Sequence, residues 1–221
     1  MLLRLAIFLP VSLALATPAV AQTSLKSIGD TCLETELDDC KVLTAGYFNR
    51  ADYGDDEGAP LIAWQTQAGT SEYGVMGGFV LFRHDGDGWA VLDKGFDGYF
   101  QMPSLNDENV LHLPGYSQGT GAFNTDRLFK LEDDGTTWTP IDMDNWLVGV
   151  ELPEDLEIWK GVAFDFSNPW SGYVARSGLW RPDDGNCCPS GGSAVISLEI
   201  EGDTLVGKEV EYIPPTGEEE N

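Results

Sequence analysis

Three stretches of this 221-residue chain repeat one pattern: a short strand of alternating apolar and polar residues, a turn of acidic residues and Gly, and a second such strand. They run over 79–93 around Asp85, Gly86, Asp87 and Gly88, over 127–142 around Asp133, Asp134 and Gly135, and over 194–212 around Glu201, Gly202 and Asp203. In the first two, a tryptophan (Trp89, Trp138) follows the turn and an aspartate (Asp93, Asp142) closes the second strand. Gly and Asp tolerate the positive φ that tight turns need, and a period of two lays one face of each strand inward. Further strands are expected at 61–65, 110–113, 162–166 and 173–180, whereas helical signals are confined to 30–43 and 154–160. The pattern predicts a mainly β fold, an antiparallel sandwich, barrel or partial propeller built from hairpins. The uneven hairpin spacing speaks against a regular propeller.

Residues 1–21 have the form of a secretory signal peptide: Arg4, an apolar run over 5–15, and Ala19, Val20 and Ala21 before Gln22. The run is shorter than the roughly 20 residues a bilayer span needs, and Pro10 and Pro18 interrupt it. No cysteine follows the cleavage site, so no lipid anchor is expected there. The chain is therefore expected to be periplasmic or secreted, without membrane insertion, as one β-rich domain over 22–213. A disordered acidic tail is expected over 214–221, which carries two prolines and three consecutive glutamates. Twelve Lys and Arg stand against 37 Asp and Glu, a formal net charge of −25 that repels nucleic acid phosphates and anionic lipid headgroups. General disorder is excluded, because 42% of residues are hydrophobic and seven tryptophans need somewhere to pack.

The four cysteines are Cys32, Cys40, Cys187 and Cys188. In an oxidising compartment they allow two disulfides in three connectivities, two of which tie the start of the domain to its end. The third pairs Cys32 with Cys40 and leaves a vicinal bond at Cys187 and Cys188, in a turn that Gly185, Pro189, Gly191 and Gly192 could form. A continuous helix over 30–43 would hold Cys32 and Cys40 about 12 Å apart, so helix and local bond exclude each other. Closeness in sequence favours the local pairing. A zinc site is disfavoured, since no histidine lies near these cysteines.

The run Leu179, Trp180, Arg181, Pro182, Asp183, Asp184, Gly185, Asn186, Cys187, Cys188, Pro189, Ser190, Gly191, Gly192, with the strand over 194–200, resembles the end of a group of secreted bacterial proteins without established activity. His112, Leu113, Pro114 and Gly115, with Gly119, Thr120, Gly121, Ala122, Phe123, Asn124 and Asp126, resemble a second block of that group. More distantly, the chain is similar to mycobacterial-type lipoproteins that end in Cys-Cys-Pro-Ser, though it lacks their anchoring cysteine. The resemblance implies export and a β-rich fold. It implies no catalytic residue.

Gly115, Tyr116, Ser117, Gln118 and Gly119 fit the G-x-S-x-G nucleophile elbow, but that turn requires a helix after the serine and a histidine later in the chain. Here a loop-like stretch follows, and His84 and His112 both precede Ser117. His84 is expected at a strand end on the surface, and His112, between Leu111 and Leu113, as a half-buried strand residue. Asp52, Asp55, Asp56 and Glu57 before the apolar 61–64 resemble the acidic loop of FG-GAP repeats, where oxygens wrap calcium. Tyr53 and Gly54 break that spacing, and no second carboxylate stands at the required distance beyond Gly58. No cofactor is therefore expected, with calcium at this loop as the alternative. Most tryptophans are expected in the core, with Trp170, in the turn-rich 167–172, as the exception. Three glycines, Gly115, Gly119 and Gly121, fall within 114–126, which suggests tight turns or close approach. Tyr116, Ser117, Gln118, Asn124 and Trp170 are accordingly the candidate ligand-binding residues. The reading is a non-catalytic binding module for an envelope ligand or protein. Its alternatives are a hydrolase acting on envelope material and a calcium-binding β-domain.

Overall fold

The computed structural model describes residues 23–49, 60–86, 88–119 and 122–216. The leader, the acidic loop with Asp52, Asp55, Asp56 and Glu57, and the end of the acidic tail lie outside the described residues. The one α-helix among the described residues, the short α1 (Leu25–Asp30), starts at a capping box in which Ser24 and Ser27 satisfy each other's backbone N–H. A first antiparallel sheet follows in simple meander order: β1 (Asp38–Asn49), β2 (Pro60–Ser71), β3 (Gly74–His84) and β4 (Trp89–Gly95). Residues 99–140 carry β5 (Tyr99–Phe100), β6 (Ser104–Leu105), β7 (Val110–Leu113), β8 (Gly115–Tyr116), β9 (Arg127–Leu131) and β10 (Trp138–Pro140). Of these, β10, β9, β7 and β6 line up as a middle sheet, and β5 pairs with β8 as a small ribbon. A third meander contains β11 (Ala163–Asp165), β12 (Tyr173–Gly178), β13 (Ser193–Glu201) and β14 (Thr204–Ile213).

The three sheets stack, and the alternation of side chains decides which faces meet. Leu111, Leu113, Phe129, Leu131 and Trp138 of the middle sheet join Ile62, Trp64, Phe79 and Leu81 of the first in one core. Val110, Leu128 and Ile141 point the other way, into a second core with Tyr173, Ala175, Ala194, Ile196 and Leu205 from the third sheet side. All four residues of β7 are consequently buried. Strands buried on both faces lose the wet, polar alternation of an ordinary antiparallel sheet. The outer face of the first sheet is covered by the N-terminal segment, where Ile28 packs on Ala63, Val80 and Phe82. Buried Gln65 and Gln67 stitch that segment down: Gln65 Nε2 donates to Ile28 O at 2.6 Å and Gln67 Nε2 to Leu33 O at 2.8 Å. The fold is mainly β, with antiparallel sheets in a sandwich-like stack, and no sheet among the described residues closes into a barrel.

All three expected hairpins are present, as β3–β4, β9–β10 and β13–β14. The two helical expectations are not met. Over 30–43 the chain leaves α1, forms a Cys32–Cys40 disulfide with the Cα atoms 6.2 Å apart, and enters β1 at Asp38. Edge pairing with β2 and the local crosslink override the weak helical propensity there. Over 154–160 a turn bonds Leu156 N to Pro153 O, Asp155 takes a φ of 60°, and Glu157 pairs with Trp180. Cys187 and Cys188 form the vicinal bond. Their loop is organised by Asp184, whose carboxylate accepts from the N–H of Arg181 and from both the N–H and hydroxyl of Ser190. No helix among the described residues is long and apolar enough to cross a membrane.

Candidate functional site

The middle sheet and the first strand of the third do not seal against one another along their whole length. Between β6, β7 and β8 on one side and residues 161–167 on the other opens a cleft of about 560 Å³, inside the range of small-molecule sites. Its rim is apolar and open: Met102, Tyr116 and Phe123 are 67%, 46% and 59% exposed. Tyr116 is backed by Tyr99 across the β5–β8 ribbon, ring centroids 6.0 Å apart.

Beneath the rim lies a polar network with almost no contact with water. His112 Nε2 donates to Asp126 Oδ1 at 2.6 Å, and the two side chains are only 6% and 5% exposed. Phe166 meets the imidazole edge to face, centroids 4.9 Å apart. The second carboxylate oxygen of Asp126 accepts from Asn124 Nδ2 at 3.0 Å. Asn124 also donates to Val162 O at 2.7 Å and accepts from Val162 N at 2.9 Å. A buried carboxylate is tolerable only when its lone pairs are met, and both oxygens of Asp126 are. At the cleft wall Asp165 is held below the ordinary carboxylate range, chiefly by the Ser167 hydroxyl and then by the Ser167 N–H.

The loop from Gly115 to Asp126 is pinned by its own polar atoms. Ser117 N donates to Phe123 O and Ser117 Oγ accepts from Phe123 N, each at 2.8 Å, while the Gln118 amide bonds the Val75 carbonyl on β3. Gly115 is needed for close approach, since a Cβ there would stand 2.6 Å from the Phe100 ring, and Gly119 has a φ of +94°. Of the residues the sequence singled out, Tyr116 and Asn124 thus meet in the cleft. Ser117 and Gln118 instead hold the loop, and Ser117 donates nothing to either histidine.

Trp170 lies elsewhere. It sits on a 3-10 turn (Pro169–Ser171) capped by Asn168 and is 88% exposed beside a broad groove of about 1080 Å³. That groove is flanked by Asp107, Glu108, Glu132, Asp133 and Asp134, with Lys130 among them. Among the described residues no group of three or more His, Cys, Asp or Glu has the arrangement of a metal site.

Sequence reasoning missed Gln101, Met102, Ser104, Phe123 and the pairing of His112 with Asp126. The last depends on β7 lying against β9, with His112 opposite Leu128 and therefore diagonal to Asp126. Ser104 is the register partner of His112 on β6, so Ser104, His112 and Asp126 lie on one face of three neighbouring chain segments. No Ser104–His112 hydrogen bond forms among the described residues. Comparison with family models, with curated proteins and with solved structures finds no match for the chain.

Proposed function

We propose that the protein is an exported binding module of the bacterial envelope, periplasmic or secreted, that takes its ligand in the cleft between the middle and third sheets. The observation that carries this reading is the contrast within that cleft. An open rim of Met102, Tyr116 and Phe123 stands over a polar floor whose side chains are locked by their own hydrogen bonds. Large apolar side chains left exposed around a concavity are a binding feature, because folding alone gains nothing from them there. A floor that cannot reorganise supplies a preformed shape, which lowers the entropic cost of binding. The leader-like residues 1–21 and the disulfides agree with an oxidising compartment. The formal charge of −25 disfavours nucleic acid as a partner.

Saturation-transfer NMR of the protein against a small-molecule extract of bacterial envelopes tests the reading. Signals are expected with the wild type and should vanish in Tyr116→Ala/Phe123→Ala at an unchanged melting temperature. Absence of any wild-type signal refutes it. A hydrolase is the second reading, favoured by the row Ser104, His112 and Asp126. In that case Ser104 should be labelled by an alkyl fluorophosphonate, and Ser104→Ala should not be.

A further inference from the structure

Resting on that cleft being the binding site, we infer that its ligand is a neutral carbohydrate. Charge gives the first reason. Among the described residues no Lys or Arg lines the cleft, its wall carries the Asp165 carboxylate, which pairs with Arg176 at 3.6 Å, and the whole chain has a formal charge of −25. A phosphorylated, sulfated or uronic acid ligand would enter against that field with no cation lining the cleft to pair its charge, the nearby Arg176 being engaged by Asp165.

The distribution of unused groups gives the second. Gln101, Ser104 and Tyr116 all line the cleft, and their side-chain amide, hydroxyl and phenol make no hydrogen bond among the described residues. They alternate with the apolar surfaces of Met102, Tyr116 and Phe123. A purely apolar ligand would strip water from these three polar groups and return no hydrogen bond, at a cost for each. A sugar ring answers both demands at once. Its C–H face lies on an aromatic ring, while its hydroxyls, each donor and acceptor, reach the amide, hydroxyl and phenol around it.

Asn124 gives the third, by closing the competing route. β11 is the edge of the third sheet, and an exposed edge is where a peptide strand would add. The Asn124 amide already bonds both the N–H and the C=O of Val162, as an incoming strand would. Beyond it β11 offers only three residues, the short kind of edge that blunts strand addition.

A glycan array bearing neutral and acidic oligosaccharides, followed by titration calorimetry of the bound glycans, tests the inference on the intact chain. Neutral glycans should bind and sialylated or sulfated ones should not. Phe123→Ala and Gln101→Ala should each weaken binding about tenfold, equivalent to ~1.4 kcal/mol, with melting temperature unchanged because both side chains are exposed. Trp170→Ala should bind as the wild type does. Preference for acidic glycans overturns the inference, as does loss of binding in Trp170→Ala but not in Phe123→Ala. Should no neutral glycan bind while the envelope extract still gives Phe123-dependent signals, the carbohydrate assignment fails and the binding reading stands. Silence in both experiments removes both.

Discussion

Two concave regions among the described residues, the cleft and the groove beside Trp170, invite comparison, and the smaller one is the better candidate. The groove beside Trp170 is about twice the volume of the cleft, but five carboxylates line its walls, and its aromatic rings are the exposed Trp170 and the half-buried Phe48. The cleft has three exposed apolar side chains around unpartnered polar groups, set on a buried network. Size and a conspicuous tryptophan therefore carry less information than the support beneath a surface. What holds the cleft in shape is buried and costly to disturb, whereas the groove is bordered by exposed carboxylates such as Asp134, whose bonds to Thr136 and Thr137 lie within one surface turn.

The largest expected effect breaks that support. Asp126→Ala leaves His112 buried without its partner and should cost about 3 kcal/mol in urea unfolding, against at most about 0.5 kcal/mol for Trp170→Ala. Equal effects from the two would erase the distinction between cleft and groove. Asn124→Ala should come next, at about 2 kcal/mol, because it abandons the Val162 N–H and C=O as well as Asp126. Its signature is faster amide exchange at Val162 while the β13–β14 amides stay protected.

The groove should show itself through pH instead. The Thr137 hydroxyl, followed by the N–H groups of Thr137 and Thr136, lowers the Asp134 carboxyl from 3.8 to about 2. A depressed carboxyl stabilises the folded state above its unfolded value and loses that contribution as pH falls from about 4 toward 2. NMR of the Thr136 and Thr137 amides should follow this loosening of the β9–β10 turn, and Asp134→Asn should abolish it. At the other extreme Tyr173, buried and bonded to Glu108, has its phenol pushed up to about 12. That contribution is complete below about pH 10 and fades as pH rises toward 12. Ultraviolet titration should show this late phenol ionisation, and Tyr173→Phe should remove it.

Local signals were legible wherever local physics decides the outcome. Each hairpin was marked by its acidic and glycine turn, and the Cys32–Cys40 bond by nearness in sequence. The exposed position of Trp170 was marked by Ser167, Asn168 and Pro169 around it. The site was only half legible. Tyr116 and Asn124 fall in a loop whose glycines advertise it, but the role of Asn124 is fixed by Val162, 38 residues away. His112 read as a strand residue between leucines, and nothing in that pattern names Asp126 as its partner. The failed helix over 30–43 has the same origin, since the segment is strand because β2 offers it an edge. Long-range pairing chose among options that local sequence left open.

The middle sheet has one consequence for how the chain comes into being. A two-layer sandwich can leave each sheet a wet face, but here Val110, Leu128 and Ile141 wait for partners that lie between residues 143 and 210. A product that stops after Ile141 presents that apolar face to water, the kind of surface that holdases grip and proteases cut. The last third of the chain is therefore the seal by which a cell can tell a finished copy from an abandoned one, and the sheets are not exchangeable modules that could be inherited or transplanted one at a time.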